Sequence, residues 1–433
     1  MAFMQIGSTN PKFSFILKKN PSSGPIVRSI REGHLFGYYS DDDKIFNCFF
    51  RDSDTEISYK KFKDDDFEYV NPSRYNAPEF VLDSISEFLE HIIKKENEFD
   101  VEGYDNFLMI NMINIKRKYL DIFKRYFKDI SFEEEEICGN NYRLKFSTKG
   151  TLKFLISFVQ LFSFFNVLKN RYLAEDEIVK YNKQLTKTKA PYFIKYIFKV
   201  NALKDRTNFY KYKKSLEENS FGNEIIEFKY GYAHEQRIDT VESLIGFKRS
   251  IIDFGCGHGD FAKRLNHRVE KMGKMYYAID KDEEMLRIVK KRMKDAGNVV
   301  FSTSFPEDLI EGEDFDVIMS EVIEHMKKDE VTNIVKDILD KSGVKSLIIT
   351  TPNKDFNQFF LFEDEEMRYE DHQFEMGKEE FMKWVEGVIG VVDNKNAREN
   401  KKELNLRFLD IGDKVNSIPM TLGVRIEKIE KVT

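Results

Sequence analysis

Cysteine is scarce. Only Cys48, Cys138 and Cys256 occur in 433 residues, far apart and with no metal-ligand spacing. That excludes a disulfide scaffold or a cysteine-based zinc site and points to a reducing compartment. A long apolar run is missing too. The most apolar stretch, Phe154 to Phe165, is twelve residues long and contains Ser157, Gln160 and Ser163. It is too short to span a bilayer and reads as a buried helix. Met1 to Gly24 lacks the basic-then-apolar pattern of a signal peptide, so a cytoplasmic protein with no membrane contact is expected. There is no general excess of positive charge either. The net charge is −6, and any nucleic-acid contact must come from a local patch. The chain shows no internal repeat and no low-complexity linker.

What is present is a globular balance of 41% hydrophobic and 33% charged residues, with 40 Phe and 20 Tyr to build cores. The length suits two or three domains. Up to about Phe67 the chain looks β-rich, with strand-like runs at Phe13 to Leu17, His34 to Tyr39 and Ile45 to Phe50. Pro78, near the first position of a helical pattern, opens a helix after Asn76-Ala77. Helical or mixed segments follow over Tyr104 to Phe127 and Lys153 to Leu168, and the acidic run Glu133 to Glu136 reads as solvated surface. Lys180 to Lys214 holds eleven Lys or Arg against one acidic residue, Asp205, with interleaved aromatics such as Tyr181, Tyr192, Phe198, Phe209 and Tyr212. Such a stretch can track an RNA backbone or form amphipathic helices with aromatics inward.

Gly222 to Gly231 is a plausible boundary, beyond which strands and helices alternate. Strands are expected at Ser250 to Phe254, Lys274 to Ile279, Val299 to Ser302, Phe315 to Met319 and Val344 to Thr350, with two more in the tail. Helices are expected at Asp260 to Lys271, Asp282 to Lys294, Lys328 to Leu339 and Lys378 to Val388. This grammar means a doubly wound α/β sheet with ligands at the carboxyl ends of its strands. The expected organisation is a mixed α+β domain over 1–225 and a Rossmann-like domain over 226–433.

Two stretches of the second domain carry chemistry. Asp253-Phe254-Gly255-Cys256-Gly257-His258-Gly259 follows its first strand, and the glycines allow a sharp turn and close ligand approach. The spacing is neither a P-loop nor the dinucleotide pattern. It resembles the S-adenosylmethionine loop of class I methyltransferases, in which an acidic strand-end residue, here Asp253, holds the methionine amino group. Asp280, ending the second strand, suits the ribose hydroxyls, Ser304 the adenine end, and Gly255 and Gly257 line the cofactor. The other stretch is Glu321-Val322-Ile323-Glu324-His325, after the fourth strand. If it is helical, Glu321, Glu324 and His325 share one face. The result is then either a solvated surface or a site for a hard-to-borderline metal.

Three further pieces accompany these: His234-Glu235-Gln236-Arg237 before the first strand, Thr351-Pro352-Asn353 after the fifth, and Arg368-x-x-Asp371-His372-x-Phe374-Glu375 beyond. Together with Glu321-x-x-Glu324-His325 the set resembles the RNA 3′-terminal ribose 2′-O-methyltransferases of the Hua-enhancer type. The last element departs from the family pattern in having Met376 and Gly377 where Trp and Thr are usual. In the first domain, Asn10-Pro11-x-Phe13, Tyr69-Val70-Asn71-x-x-x-Tyr75 and Arg171-Tyr172-Leu173-x-x-Asp176-Glu177 resemble the bacterial members. The resemblance implies that Glu321, Glu324, His325 and His372 bind one Mg²⁺ or Mn²⁺. It implies methyl transfer from S-adenosylmethionine to the 2′-OH of an RNA 3′ end, with His325, Glu321 and Glu324 as the catalytic group. Gln236, Arg237, Thr351, Asn353 and Arg368 would contact substrate, Arg368 meeting a terminal phosphate. It further implies work beside a polynucleotide kinase–phosphatase–ligase in RNA repair, the first domain supporting the ligase. Two alternatives stand beside it: a methyltransferase acting on a small molecule or internal RNA site, and mainly a ligase-activating adaptor.

Overall fold

The computed structural model describes residues 2–30, 33–40, 43–52, 75–168, 173–305, 313–360, 367–398 and 403–429. Tyr69, Val70, Asn71, Arg171 and Tyr172, which carry part of the resemblance, lie outside the described residues. The chain divides into two compact units, Met1–Asn223 and Glu224–Thr433.

The first unit is built on a seven-stranded antiparallel sheet. Its strands are β1 (Ala2–Ser8), β2 (Ile26–Ile30), β3 (Gly33–Tyr39), β4 (Ile45–Asp52), β5 (Asn106–Asn114), β6 (Ser131–Cys138) and β7 (Asn141–Thr148). They run in the order β2-β3-β4-β1-β5-β7-β6. The buried–half-buried alternation of β1, β3 and β5 is that of a sheet with one covered face. The run Phe13 to Leu17, expected as a strand, is instead α1 (Phe13–Leu17), with Phe13, Ile16 and Leu17 buried at helical spacing. Asn10 starts that turn by accepting the Lys12 N–H in its side chain at 2.8 Å. Five apolar residues fit either period, and the turn chemistry decides between them.

After α2 (Pro78–Ser84), with Pro78 at its first position, a π turn leads into α3 (Glu90–Lys94). The region from Tyr104 to Phe127 splits into β5 and the amphipathic α4 (Arg117–Tyr126). The acidic run Glu133 to Glu136 belongs to edge strand β6, where Glu133 and Glu135 pair with Lys145 and Arg143 of β7. Charges on an edge strand discourage pairing with another chain. The central helix α5 (Leu152–Leu168) has thirteen of its seventeen residues buried, so it is a core helix on every side. No helix among the described residues is long and apolar enough to cross a membrane.

The basic stretch forms α6 (Glu175–Lys187), α7 (Tyr192–Ala202) and α8 (Arg206–Glu217). Tyr181, Tyr192, Phe198, Phe209 and Tyr212 point inward. Even Lys195 is buried, its Nζ donating to the Glu218 carbonyl at 2.7 Å and to Ser220 Oγ at 2.9 Å. Over most of its length the amphipathic reading holds.

The second unit carries an eight-stranded sheet. The strands are β8 (Ile226–Glu227), β9 (Ser250–Phe254), β10 (Tyr276–Ile279), β11 (Val299–Ser302), β12 (Phe315–Ser320), β13 (Val344–Pro352), β14 (Glu403–Val415) and β15 (Ile418–Ile429). The order β11-β10-β9-β12-β13-β15-β14-β8 places five parallel strands first, with β15 antiparallel to β13. Helices α9 (Ala233–Leu244), α10 (Asp260–Lys271), α11 (Glu283–Arg292), α12 (Lys328–Asp340) and α13 (Lys378–Arg398) flank it. One core, around Val317, Val331, Leu347 and Phe381, lies on one face. The other, around Val241, Leu265, Tyr276 and Val289, lies on the opposite face. The parallel strands are covered on both faces, and so read as continuous apolar runs. Strand order reverses between β9 and β12, which makes the carboxyl ends of this pair the natural ligand crevice.

Candidate active site at the switch point

Two loops meet at that crevice. The first, after β9, turns at Gly255 (φ 76°) and enters α10 through Gly259 (φ 77°). A Cβ on Gly255 would stand 2.5 Å from Val322, and one on Gly259 2.7 Å from Val289, so both positions are closed to larger residues. Gly257 faces open space instead. Asp280 braces the loop from the end of β10. Its Oδ2 accepts the Gly257 N–H at 2.8 Å and its Oδ1 that of Asp282 at 2.9 Å. Asp253, at the end of β9, is buried, and Oδ2 accepts from the Tyr276 hydroxyl at 2.7 Å. Burial pushes its carboxyl up to about 7, with the Tyr276 hydrogen bond pulling the other way. Ser304 is exposed, in a short turn in which its N–H meets Ser302 Oγ. The exposed His258 offers its carbonyl to Arg292.

The second loop, after β12, is not the helix expected. Glu321 N–H still donates to Thr350 O at 2.9 Å, extending the strand pairing by one residue. Glu321 then adopts φ 56° and reverses the chain. Val322 packs on Gly255, and only a single 3₁₀ turn, Ile323–His325, follows before α12. Glu321, Glu324 and His325 therefore do not share a helical face. What gathers is Glu324, His325 and His372, whose ligand atoms all lie within 4.8 Å of one another. Glu321 stands outside that triplet, its carboxylate 3.4 Å from the Arg237 guanidinium and within reach of the Thr350 hydroxyl.

His372 arrives from a distant segment. The Gln373 N–H donates to the Glu324 carbonyl at 2.7 Å, which ties the two segments together. Each imidazole has a carboxylate at Nδ1: Glu375 at 2.6 Å from His372 and Asp371 at 3.2 Å from His325. That leaves Nε2 of both rings for a cation, the usual second-sphere arrangement. Glu324 is fully buried. Its Oε2 accepts from the Thr351 hydroxyl at 3.1 Å, while Oε1 has no hydrogen-bond partner among the described residues. Burial, reinforced by Glu321, raises its carboxyl well above the usual range. An orphaned carboxylate oxygen beside two oriented imidazoles fits a divalent ion, which would supply the missing partner and the compensating charge.

Of the residues expected to meet substrate, Gln236, Asn353 and Arg368 also make hydrogen bonds within the protein, while Arg237 is part-exposed and pairs with Glu321. Gln236 Nε2 has the carbonyl oxygens of Lys229, Tyr230 and Gly231 all within hydrogen-bond distance of its two N–H groups. Asn353 is buried, with Nδ2 on the Pro419 carbonyl. Arg368 uses its guanidinium on Asn357 Oδ1 and on the carbonyls of Asn353 and Met420. These side chains fix the loops around the triplet. Met376 is buried in the core, and Gly377 leaves room for the Asp355 carboxylate, which caps α13 at the Lys378 N–H. Sequence reasoning gave no role to Tyr276, Asp371 or Glu375. Glu375 was readable, because a carboxylate three residues after a ligand histidine is a natural imidazole partner, whereas Asp371 adjoins His372 in sequence but serves the distant His325, which no local spacing states.

The chain matches the family model of the Hen1 N-terminal domain over residues 3–221 and a methyltransferase-domain model over residues 251–342. The small RNA 2′-O-methyltransferase of Caenorhabditis elegans is 28% identical over 200 residues, 42% of this chain and 42% of that protein. That of Arabidopsis thaliana is 27% identical over 158 residues, 31% of this chain and 17% of its own length. The chain thus aligns with less than half the length of these relatives. In overall fold it is similar to a chain of the Pnkp1/Rnl/Hen1 RNA repair complex, with a TM-score of 0.79 and 24% identity over 98% of this chain and all of the other. With the Hen1 N-terminal domain matched across half its length, ahead of a class I methyltransferase sheet, the chain belongs to the Hen1 family.

Proposed function

We propose that this protein transfers a methyl group from S-adenosylmethionine to the 2′-OH of the 3′-terminal ribose of RNA, with a divalent ion, Mg²⁺ or Mn²⁺, held by Glu324, His325 and His372. The observation that carries the reading is the triplet itself, two carboxylate-oriented imidazoles around a buried glutamate oxygen without a partner. An internal-site or small-molecule methyltransferase needs the glycine loop and Asp280 but no such triplet. The names of the curated relatives supply the substrate class.

The roles follow from position. Asp253 is the anion for the cofactor's amino group, and the open space over Gly257 admits the cofactor beside Asp280. Glu324 Oε1 and the Nε2 atoms of both histidines form the ligand set, with Glu321 as the adjacent carboxylate. A bound divalent ion would lower the pKa of the terminal hydroxyl and read the cis-diol that only a 3′ end offers. His372 is enclosed, whereas His325 is half-exposed, so His325 is the candidate acceptor of the 2′-hydroxyl proton. Ligand and base compete for the same nitrogen, and pH–rate profiles at limiting and saturating cation separate them. The first unit, as the Hen1 N-terminal domain, would engage the kinase–phosphatase–ligase partner of RNA repair.

The test is transfer of labelled methyl to a short RNA ending in a ribose or in 2′-deoxyribose, with Mn²⁺ or with EDTA. Labelling is expected only for the ribose end with cation present, and Glu324→Ala should bind cofactor yet transfer nothing. Equal labelling of the deoxy end, or full activity in EDTA, would refute the reading.

A further inference from the structure

The first unit carries a cleft that the methyl-transfer chemistry does not use. It has a volume of about 900 Å³. Lys128, Lys149, Lys187 and Lys189 line it against only two acids, Glu102 and Asp129, in a chain whose net charge is negative. Lys187 is committed, with Nζ 2.6 Å from the Ile93 carbonyl. The other three are exposed and form no ion pair among the described residues. They come from three separate turns, after α4, after β7 and after α6, so their convergence is a product of the fold rather than of one charged segment. Lys189 lies in the turn between α6 and α7, so this part of the basic stretch faces the cleft.

Other features suit an RNA strand. Phe221 stands on the rim half-exposed, a free face for a base. Thr148 and Thr151 accept backbone N–H groups in their hydroxyl oxygens, from Gly150 and Phe154, so each hydroxyl proton remains to be donated. A second groove, of about 710 Å³, shares Lys128, Asp129, Thr148 and Lys149 with the cleft and continues past Phe107. Two adjoining grooves with lysines shared between them favour a strand over a small phosphate compound.

We propose that this cleft binds single-stranded RNA, with Lys128, Lys149 and Lys189 on the phosphates and Phe221 stacked on a base. The choice of RNA rests on the substrate class proposed above. The experiment uses the full chain and a labelled single-stranded RNA of about 16 nucleotides, within the usual span of such sites. Its 3′ end is phosphorylated, so that the terminal diol is absent. Anisotropy titrations over a salt series compare the wild type with the combined Lys128→Gln, Lys149→Gln, Lys189→Gln variant. Affinity should fall at least about tenfold. The slope of log Kd against log salt should fall by about 2, since each single-strand phosphate contact contributes about 0.7. The corresponding Lys→Arg variant should retain both. Phe221→Ala should lose about tenfold in affinity with its slope intact, the mark of stacking rather than charge. Unchanged affinity and slope in the Gln variant, with wild-type melting, overturns the proposal. So does a variant that keeps RNA binding but loses binding to polyglutamate, which would assign the cleft to an acidic protein partner. Methyl transfer to 3′-hydroxyl RNA, run in parallel, separates the two readings. A wild type that methylates RNA while its binding ignores these lysines refutes only the cleft, and a wild type inactive on RNA refutes the substrate assignment.

Discussion

Asp253 makes the stability of the second unit depend on pH in a way that can be worked out in advance. The carboxyl is buried at the end of β9, and burial lifts its pKa from 3.8 to about 7. An acid whose folded-state pKa is raised holds its proton more tightly folded than unfolded. Its stabilising contribution is therefore complete below pH 3.8 and is lost as pH rises through about 7. A shift of that size is about 4 kcal/mol over the whole window, of which roughly half or somewhat more falls between pH 5 and pH 8. The group is fully enclosed, so solvent screening takes little from the figure.

The perturbation is Asp253→Asn, an amide of the same shape with nothing to titrate there. The single tryptophan, Trp384, lies in α13 with its indole N–H on Thr332 Oγ1, so its fluorescence reports the second unit alone. Urea unfolding followed at Trp384 from pH 5 to pH 8 should show the wild type losing about 2–3 kcal/mol relative to the variant. Tyr276→Phe removes the one hydrogen bond that favours the charged form, so it should carry the loss to higher pH. Saturating S-adenosylmethionine should flatten the wild-type profile, because an ammonium opposite Asp253 holds it ionised. Parallel profiles for wild type and Asp253→Asn would show that the carboxylate is not held in a desolvated site and would remove the argument for its cofactor role.

Two further outcomes follow from the geometry. Gly255→Ala places a methyl 2.5 Å from Val322 at φ 76°, so it should cost the second unit about 2–4 kcal/mol and abolish cofactor binding by calorimetry. Glu375→Gln takes the carboxylate from His372 Nδ1 and sets an amide N–H against a donor in the Asn357–Arg368–His372 network, so it should weaken Mn²⁺ binding by about 10- to 100-fold with a lowered melting temperature; the check is competition with a chelating dye.

The topology of the second unit was readable because each level of pattern agreed. Apolar runs bounded by glycine and aspartate alternated with amphipathic helices, and the two functional loops fell at strand ends, where parallel sheets bind ligands. The turn at Glu321 was not readable. Its spacing fits a helix, but the Thr350 hydrogen bond prolongs the strand, and the pressure of Val322 on Gly255 leaves room for one 3₁₀ turn. The hydrogen bond of Tyr276 to Asp253 was hidden for a related reason. The strand register sets Tyr276 opposite Ile251 and Ala278 opposite Asp253, and no local pattern states which strand residues become diagonal neighbours. Arg368, Asn353 and Gln236 were named as substrate contacts by the family resemblance; that each also hydrogen-bonds backbone carbonyls of other segments is set by tertiary placement, which no local pattern states.

The same turn joins the glycine loop to the Glu324, His325 and His372 triplet. Gly255 and Val322 are in contact, so the glycine loop cannot shift without moving the residue between Glu321 and Glu324. Glu321, in its turn, is pinned by Thr350 from β13 and by Arg237 from α9, while Glu324 is joined to the His372 segment through Gln373. Four separate pieces of chain are thus clamped to one five-residue reversal. A left-handed residue at its start is the strained point in that clamp, held by strand pairing on one side and side-chain packing on the other. Strain of that kind persists only where the surroundings over-determine it, and here the surroundings are β13, α9, the glycine loop and the His372 segment together.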